Sequence, residues 1–271
     1  MTSTAHRPTF AHGSTPPPVH DPDPTALRPI LTFAAVALPI GWILLSLPVL
    51  LDAPQEPFAL ASILLALLPA ALVITARRSG GAGVRALLRD AVRLPRPLWW
   101  AFPAVTAIPV VTWVVASLLG EAKPLTTSLL MSFLFQLVTG AVVINIWEET
   151  VWAGFVQRRA MARWGTLPGS LVTALMFVAI HVPLAFDDAA TTAAVVEGMV
   201  MLLVAGVAMR LLVAAMDSWT AGSLLTLGFM HSSFNVTDDL IEPSYDWLRL
   251  GTALVLGLAA VIVLLRARRA R

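Results

Sequence analysis

Residues 145–155 read NIWEETVWAGF. Two adjacent carboxylates, Glu148 and Glu149, stand in a stretch otherwise apolar enough to cross a bilayer, and the fold follows from what surrounds them. The chain has 271 residues, 58% of them hydrophobic and 13% charged. A water-soluble domain carries about 25% charged residues to cover its surface, so much of this surface does not face water. Apolar runs of about 18 residues or more recur, the length a helix needs to span a membrane. Eight spans can be drawn, over 29–51, 57–76, 98–119, 127–157, 168–186, 191–215, 218–236 and 248–266. The expected fold is all-α, a polytopic membrane protein of about eight transmembrane helices.

Residues 1–27 are rich in Pro, Ser and Thr and have no apolar core. That pattern is unlike a signal peptide and predicts a disordered tail, leaving residues 28–271 as a single integral membrane helical domain. The chain has no cysteine, which excludes disulfides, a thiol nucleophile and thiolate metal sites.

Seventeen arginines and one lysine raise the isoelectric point to about 9.9. Their placement speaks for topology and not for nucleic-acid binding. Arg77, Arg78, Arg85, Arg89, Arg93 and Arg96 lie between spans two and three, and Arg158, Arg159 and Arg163 between spans four and five. Arg266, Arg268, Arg269 and Arg271 follow span eight. The alternate connections are acidic, with Asp52 and Glu56, Asp187 and Asp188, then Asp238, Asp239, Glu242 and Asp246. By the positive-inside rule both termini are cytoplasmic in the plasma membrane. GVRALLRDAVRL, residues 83–94, reads either as a short helix on the anionic inner leaflet or as a solvated basic loop.

A charge at mid-bilayer costs about 3 kcal/mol on insertion scales, so each one is a functional candidate. Span four holds Asn145, Glu148 and Glu149, span five His181, span six Glu197 and Arg210, and span seven His231 and Asn235. At a rise of 1.5 Å per residue, Glu148 lies about 15 Å from Arg158 at its cytoplasmic end. His181 and His231 each lie about 20 Å from theirs. Glu, His and His thus share a layer. Glu197 falls outside it, near the outer end of span six. Arg210 lies within two turns of the inner end, from which it is expected to snorkel towards Asp217.

Phe177 and His181, and likewise His231 and Asn235, are four apart and share a helix face. Glu148 and Glu149 are about 100° apart around their helix, so one is expected to face the cluster while the other orients it. Adjacent carboxylates in low dielectric resist simultaneous ionisation. A carboxylate beside an imidazole is what general-base activation of water requires, and Asn235 with the second imidazole could hydrogen-bond an oxyanion.

EETVW, FVAIH and HSSFN, in this order on successive spans, resemble the three motifs of the CAAX protease and bacteriocin-processing (CPBP) family, glutamate-dependent intramembrane endopeptidases that include the type II CAAX prenyl endopeptidases. The family-like core covers residues 127–240. The resemblance implies a helical bundle around a membrane-embedded polar cavity. It also implies Glu148 as the base activating water, assisted by His181, with His231 and Asn235 on the oxyanion and Glu149 in support. There is one departure. The family's first motif continues with Arg where this chain has Ala153, on the same helix face as Glu149, so either Glu149 is protonated, or it finds a donor elsewhere, or the activity is weakened.

The leading expectation is an intramembrane endopeptidase, acting without a cofactor on a peptide or membrane-protein substrate near the cytoplasmic side. A zinc-dependent version would use His181, His231 and a Glu as ligands. A non-catalytic membrane binding or immunity protein on the same fold is motivated by Ala153. A proton-coupled transporter would use the Glu and His residues as a relay, but no repeated halves with broken helices are visible. The arginine- and alanine-rich composition points to a GC-rich bacterium.

Overall fold

The computed structural model describes residues 21–270 apart from 188 and 190. Eight helices carry the bundle: α1 Arg28–Leu51, α2 Glu56–Ala91, α3 Ala101–Leu119, α4 Thr127–Trp164, α5 Thr166–His181, α6 Thr192–Trp219, α7 Leu224–Asn235 and α8 Asp246–Arg269. Among the described residues there is no strand, only an isolated bridge between Ala122 and Ile241. Seven of the helical stretches are long and apolar enough to cross a membrane. The remaining one, α7, has 12 residues and is buried along almost its whole length. It is shorter than the expected span 218–236, because α6 runs on to Trp219 and a turn with left-handed Ala221 and Gly222 precedes α7.

Local chemistry sets several boundaries. The side chains of Thr126, Thr191 and Ser223 accept from the third residue onward at the starts of α4, α6 and α7, satisfying amides that a helix leaves unpaired. Gly165, at φ 86°, breaks the chain between α4 and α5, a conformation glycine adopts without steric cost.

Helix α6 is the centre, packed most extensively on α8 and α5 and with 56% of its apolar window buried. Two apolar cores flank it. One joins Phe33, Leu67, Trp152, Phe155 and Phe177, and the other Met209, Leu212, Leu224, Leu227 and Phe234. On α4, Leu130, Met131, Leu134, Phe135 and Val138 are exposed, an apolar stripe of the kind that faces lipid and not water.

The arginine-bearing ends meet at one end of the bundle. Arg158, buried on α4, donates to both Asp217 oxygens at 2.9 and 2.8 Å and to Asp90 at 2.8 Å. Helix α2 continues through a break at Gly80 to Ala91. Its last turns lay Leu87 and Asp90 against the bundle and leave Arg85 and Arg89 exposed, so this segment is a packed helix and not a free loop.

The expected tail needs a correction. Residues 1–20 lie outside the described residues, but 21–27 are held. Asp21 accepts from Arg78 at 2.8 Å and Arg159 at 3.2 Å, and the Thr25 carbonyl accepts from Arg163 at 2.9 Å. Burial pushes the Asp21 carboxyl up, but the hydrogen bonds from Arg78 and the charge of Arg159 outweigh it and hold it below its ordinary value. Composition predicts disorder from a lack of apolar residues, and here a single carboxylate between guanidinium groups supplies the anchor instead.

Candidate active site

The carboxylate pair lies on one short α-helical turn, Ile146–Glu149, between two π-helical stretches of α4, Ala141–Asn145 and Thr150–Gln157. Such π-turns recur at functional sites because they re-aim side chains within a continuous helix. Helix α7 approaches this turn closely. A Cβ on Gly228 would stand 2.7 Å from the Ile146 Cα and 2.8 Å from its nitrogen. Next to His231, Ser232 donates to the Leu137 carbonyl of α4 at 2.8 Å, and Ser233 to the Val105 carbonyl of α3. The two serines of HSSFN thus fix α7 between its neighbours, with His231 facing the carboxylates.

Glu148 is 7% exposed and Glu149 fully buried. Glu148 Oε1 lies 3.7 Å from His181 Nε2, and its Oε2 lies 3.8 Å from His231 Nδ1 and 3.4 Å from Asn145 Nδ2. His231 Nδ1 is 2.8 Å from Glu149 Oε1. Both carboxylates therefore converge on one imidazole, although their helical spacing predicts divergence.

His181 is the last residue of α5, and its Nδ1 is 2.7 Å from the Phe177 carbonyl. A carbonyl only accepts, so Nδ1 carries the hydrogen and, in the neutral ring, Nε2 presents its lone pair to Glu148. Phe177 contacts both imidazoles, with ring centroids at 4.5 Å from His181 and 5.9 Å from His231. Asn235 ends α7, is exposed, and lines the same cavity as Glu148, His181 and His231. Glu197 stands apart from this layer and accepts from Trp247 at 3.3 Å.

Arg210 overturns its sequence reading. It does not snorkel towards Asp217, whose oxygens are taken by Arg158. Its side chain is fully buried, lies over the Phe177 ring at 4.8 Å, and donates through Nη1 to Glu149 Oε2 at 3.0 Å and through Nη2 to Glu149 Oε1. Glu149 thus has a guanidinium partner from α6 in place of the one absent at Ala153. A lone cation in a long apolar helix, opposite a pair of carboxylates, was the signal available in the sequence.

The cavity has a volume of about 530 Å³ and lies where the two apolar cores meet, between Phe177 and Leu67 on one side and Met209 and Phe234 on the other. It runs from Glu148 to Glu56 and Asp246, at the end of the bundle that carries the acidic connections. Helices α5 and α7 stop at the site, and the space lies beyond their ends. Among the described residues, no group of three or more His, Asp or Glu side chains is arranged to hold a metal ion.

Residues 130–237 match the family model described as type II CAAX prenyl endopeptidase Rce1-like. No curated protein matches the chain at a significant level. The matched segment contains EETVW, FVAIH, HSSFN and Arg210. Residues 130–237 are thus similar to the Rce1-like type II CAAX prenyl endopeptidases, in line with the resemblance of EETVW, FVAIH and HSSFN.

Proposed function

We propose that the protein is an intramembrane endopeptidase of the plasma membrane, with cytoplasmic termini, that hydrolyses a peptide bond in a peptide or membrane-protein substrate using water held between Glu148 and His181. One observation carries this reading. Glu148 Oε1 and His181 Nε2 are both acceptors, 3.7 Å apart, because the hydrogen of His181 is committed to Phe177. Two acceptors cannot bond to each other, and a water beside them donates one hydrogen to each.

In the proposed reaction Glu148 takes a proton from that water, and the hydroxide adds to the substrate carbonyl carbon. The oxyanion then accepts from the Asn235 amide and from Nε2–H of His231 in its imidazolium form, whose Nδ1–H stays on Glu149. Collapse breaks the C–N bond, and Glu148 returns the proton to the leaving amine. Glu149, clamped by Arg210, orients His231 and does not touch the substrate. The non-catalytic reading was motivated by the missing Arg at Ala153; the guanidinium of Arg210 on Glu149 supports the catalytic one.

The test compares new peptide termini in membranes of cells carrying wild type, Glu148→Gln or His181→Ala, with and without chelator. Termini that need Glu148 and His181 and persist in chelator support the proposal. Termini equal in all three strains would defeat it, and termini lost only with chelator would favour the zinc version.

A further inference from the structure

Each of Glu148, Glu149, His181 and His231 has a hydrogen-bond partner in the protein. Among the described residues the Asn235 side chain has none, so the direction of its amide is set by the backbone of the last turn of α7. The last carbonyls of a helix have no partner within it, and at α7 they are met from outside. Thr237 Oγ1 donates to the Ser233 carbonyl at 2.6 Å. Arg249, from the first turn of α8, donates through Nη1 to the Phe234 carbonyl at 3.1 Å and to the Asn235 carbonyl at 3.2 Å. Arg249 and Asn235 both line the cavity, and Arg249 lies outside the segment 130–237 that matches the family model. We propose that Arg249 is a positioning residue, which aims the Asn235 amide at the oxyanion by holding the end of α7.

The guanidinium is itself held on its other sides. Nε and Nη2 donate to the two oxygens of Asp246 at 2.7 and 2.9 Å, and the guanidinium carbon lies 4.6 Å over the Phe234 ring. A planar fork of donors can serve a carboxylate on one edge and carbonyls on another while stacking on a ring, which an ammonium cannot do. Asp246 neutralises the charge of Arg249, so what the pair gives the cavity is geometry and not a field for the substrate. The connection between α7 and α8 has holds of its own, the Ala122–Ile241 bridge and the bond from Gln136 to Asp239 at 2.7 Å. Loss of Arg249 therefore loosens the last turn of α7 without releasing that connection. A misplacement of about 1 Å in a catalytic group can cost about a hundred-fold in rate.

The inference rests on the proposed protease reading, and its test separates the two. The chain has no cysteine, so a nitroxide on Asn235→Cys reports the motion of that position without background or substrate. It should be immobile beside Arg249 and mobilised by Arg249→Met. Arg249→Lys, which keeps the charge but cannot span carboxylate and carbonyls, should mobilise it as well and secures the comparison if the methionine variant does not fold. A label equally immobile in all three proteins would overturn the inference. Turnover is then read on a substrate identified from its Glu148-dependent termini. Asn235→Ala should lose about a hundred- to a thousand-fold in kcat, the usual cost of one oxyanion donor. Arg249→Met should lose up to about a hundred-fold in kcat with KM unchanged, and should cost nothing further when added to Asn235→Ala. Losses that multiply in the double variant would mean a role that does not pass through Asn235, and would also overturn the inference. If no terminus depends on Glu148, the protease reading fails while the label still decides whether Arg249 holds Asn235.

Discussion

Arg210 on α6 donates through both terminal nitrogens to the Glu149 carboxylate on α4, and the same carboxylate receives His231 from α7. Three helices are thereby joined at one buried point, beside the Glu148 that faces the cavity. Two adjacent carboxylates in an apolar bundle repel each other, and the guanidinium offsets that repulsion for the inner one.

Replacing Arg210 with Gln would leave a buried carboxylate without its counter-charge. Breaking one side of a buried pair typically costs about 3–5 kcal/mol, so Arg210→Gln should unfold in detergent well before wild type. Glu149→Gln combined with Arg210→Gln should be destabilised by less than the two single changes together. Additive losses in that double-mutant cycle would mean that the pair is not coupled.

The approach of α7 to the carboxylate turn depends on Gly228. A methyl there meets the Ile146 backbone at 2.7 Å, and overpacking of this kind costs about 1–3 kcal/mol. Gly228→Ala should lower both thermal stability and turnover. Gly251 on α8 has open space around it, so Gly251→Ala should be neutral or stabilise by up to about 1 kcal/mol. Equal behaviour of the two variants would contradict the close contact.

The Asp21 anchor has a pH signature. Its carboxyl is held below the ordinary 3.8, so the anchoring is complete above that value and is lost as pH falls through the lower bound-state value. A nitroxide on Pro24→Cys should be immobile at neutral pH and mobilised either by acidification below about 4 or by Asp21→Asn. A nitroxide already mobile at neutral pH would show that the segment is not held.

Much of the fold and part of the site were legible in the sequence. Hydropathy marks the helices, and the arginine pattern separates the two ends. Equal depth predicts that Glu148, His181 and His231 meet, and they do, although α7 begins only at Leu224 and the stretch from Ser218 to His231 is not one helix. What escaped depends on packing. The reading of Arg210 assumed a lipid-exposed helix end, whereas α6 is the central helix and leaves no path to the interface. The convergence of Glu148 and Glu149 on His231 needs the π-turns around them, which no residue pattern announces. The cavity's direction follows from α5 and α7 ending at His181 and Asn235, and helix ends are what sequence periodicity locates least well. Asp21 was hidden because an ion pair between distant segments leaves no local mark.

The central claim, that Glu148 is the base activating water, is tested most directly with purified protein in proteoliposomes, using a substrate identified from its Glu148-dependent termini. General-base catalysis contributes about a hundred- to ten-thousand-fold, so Glu148→Gln should lose at least that much turnover while keeping the wild-type fold and unfolding temperature. A Glu148→Gln protein that cleaves the same bond at the wild-type rate would contradict the account.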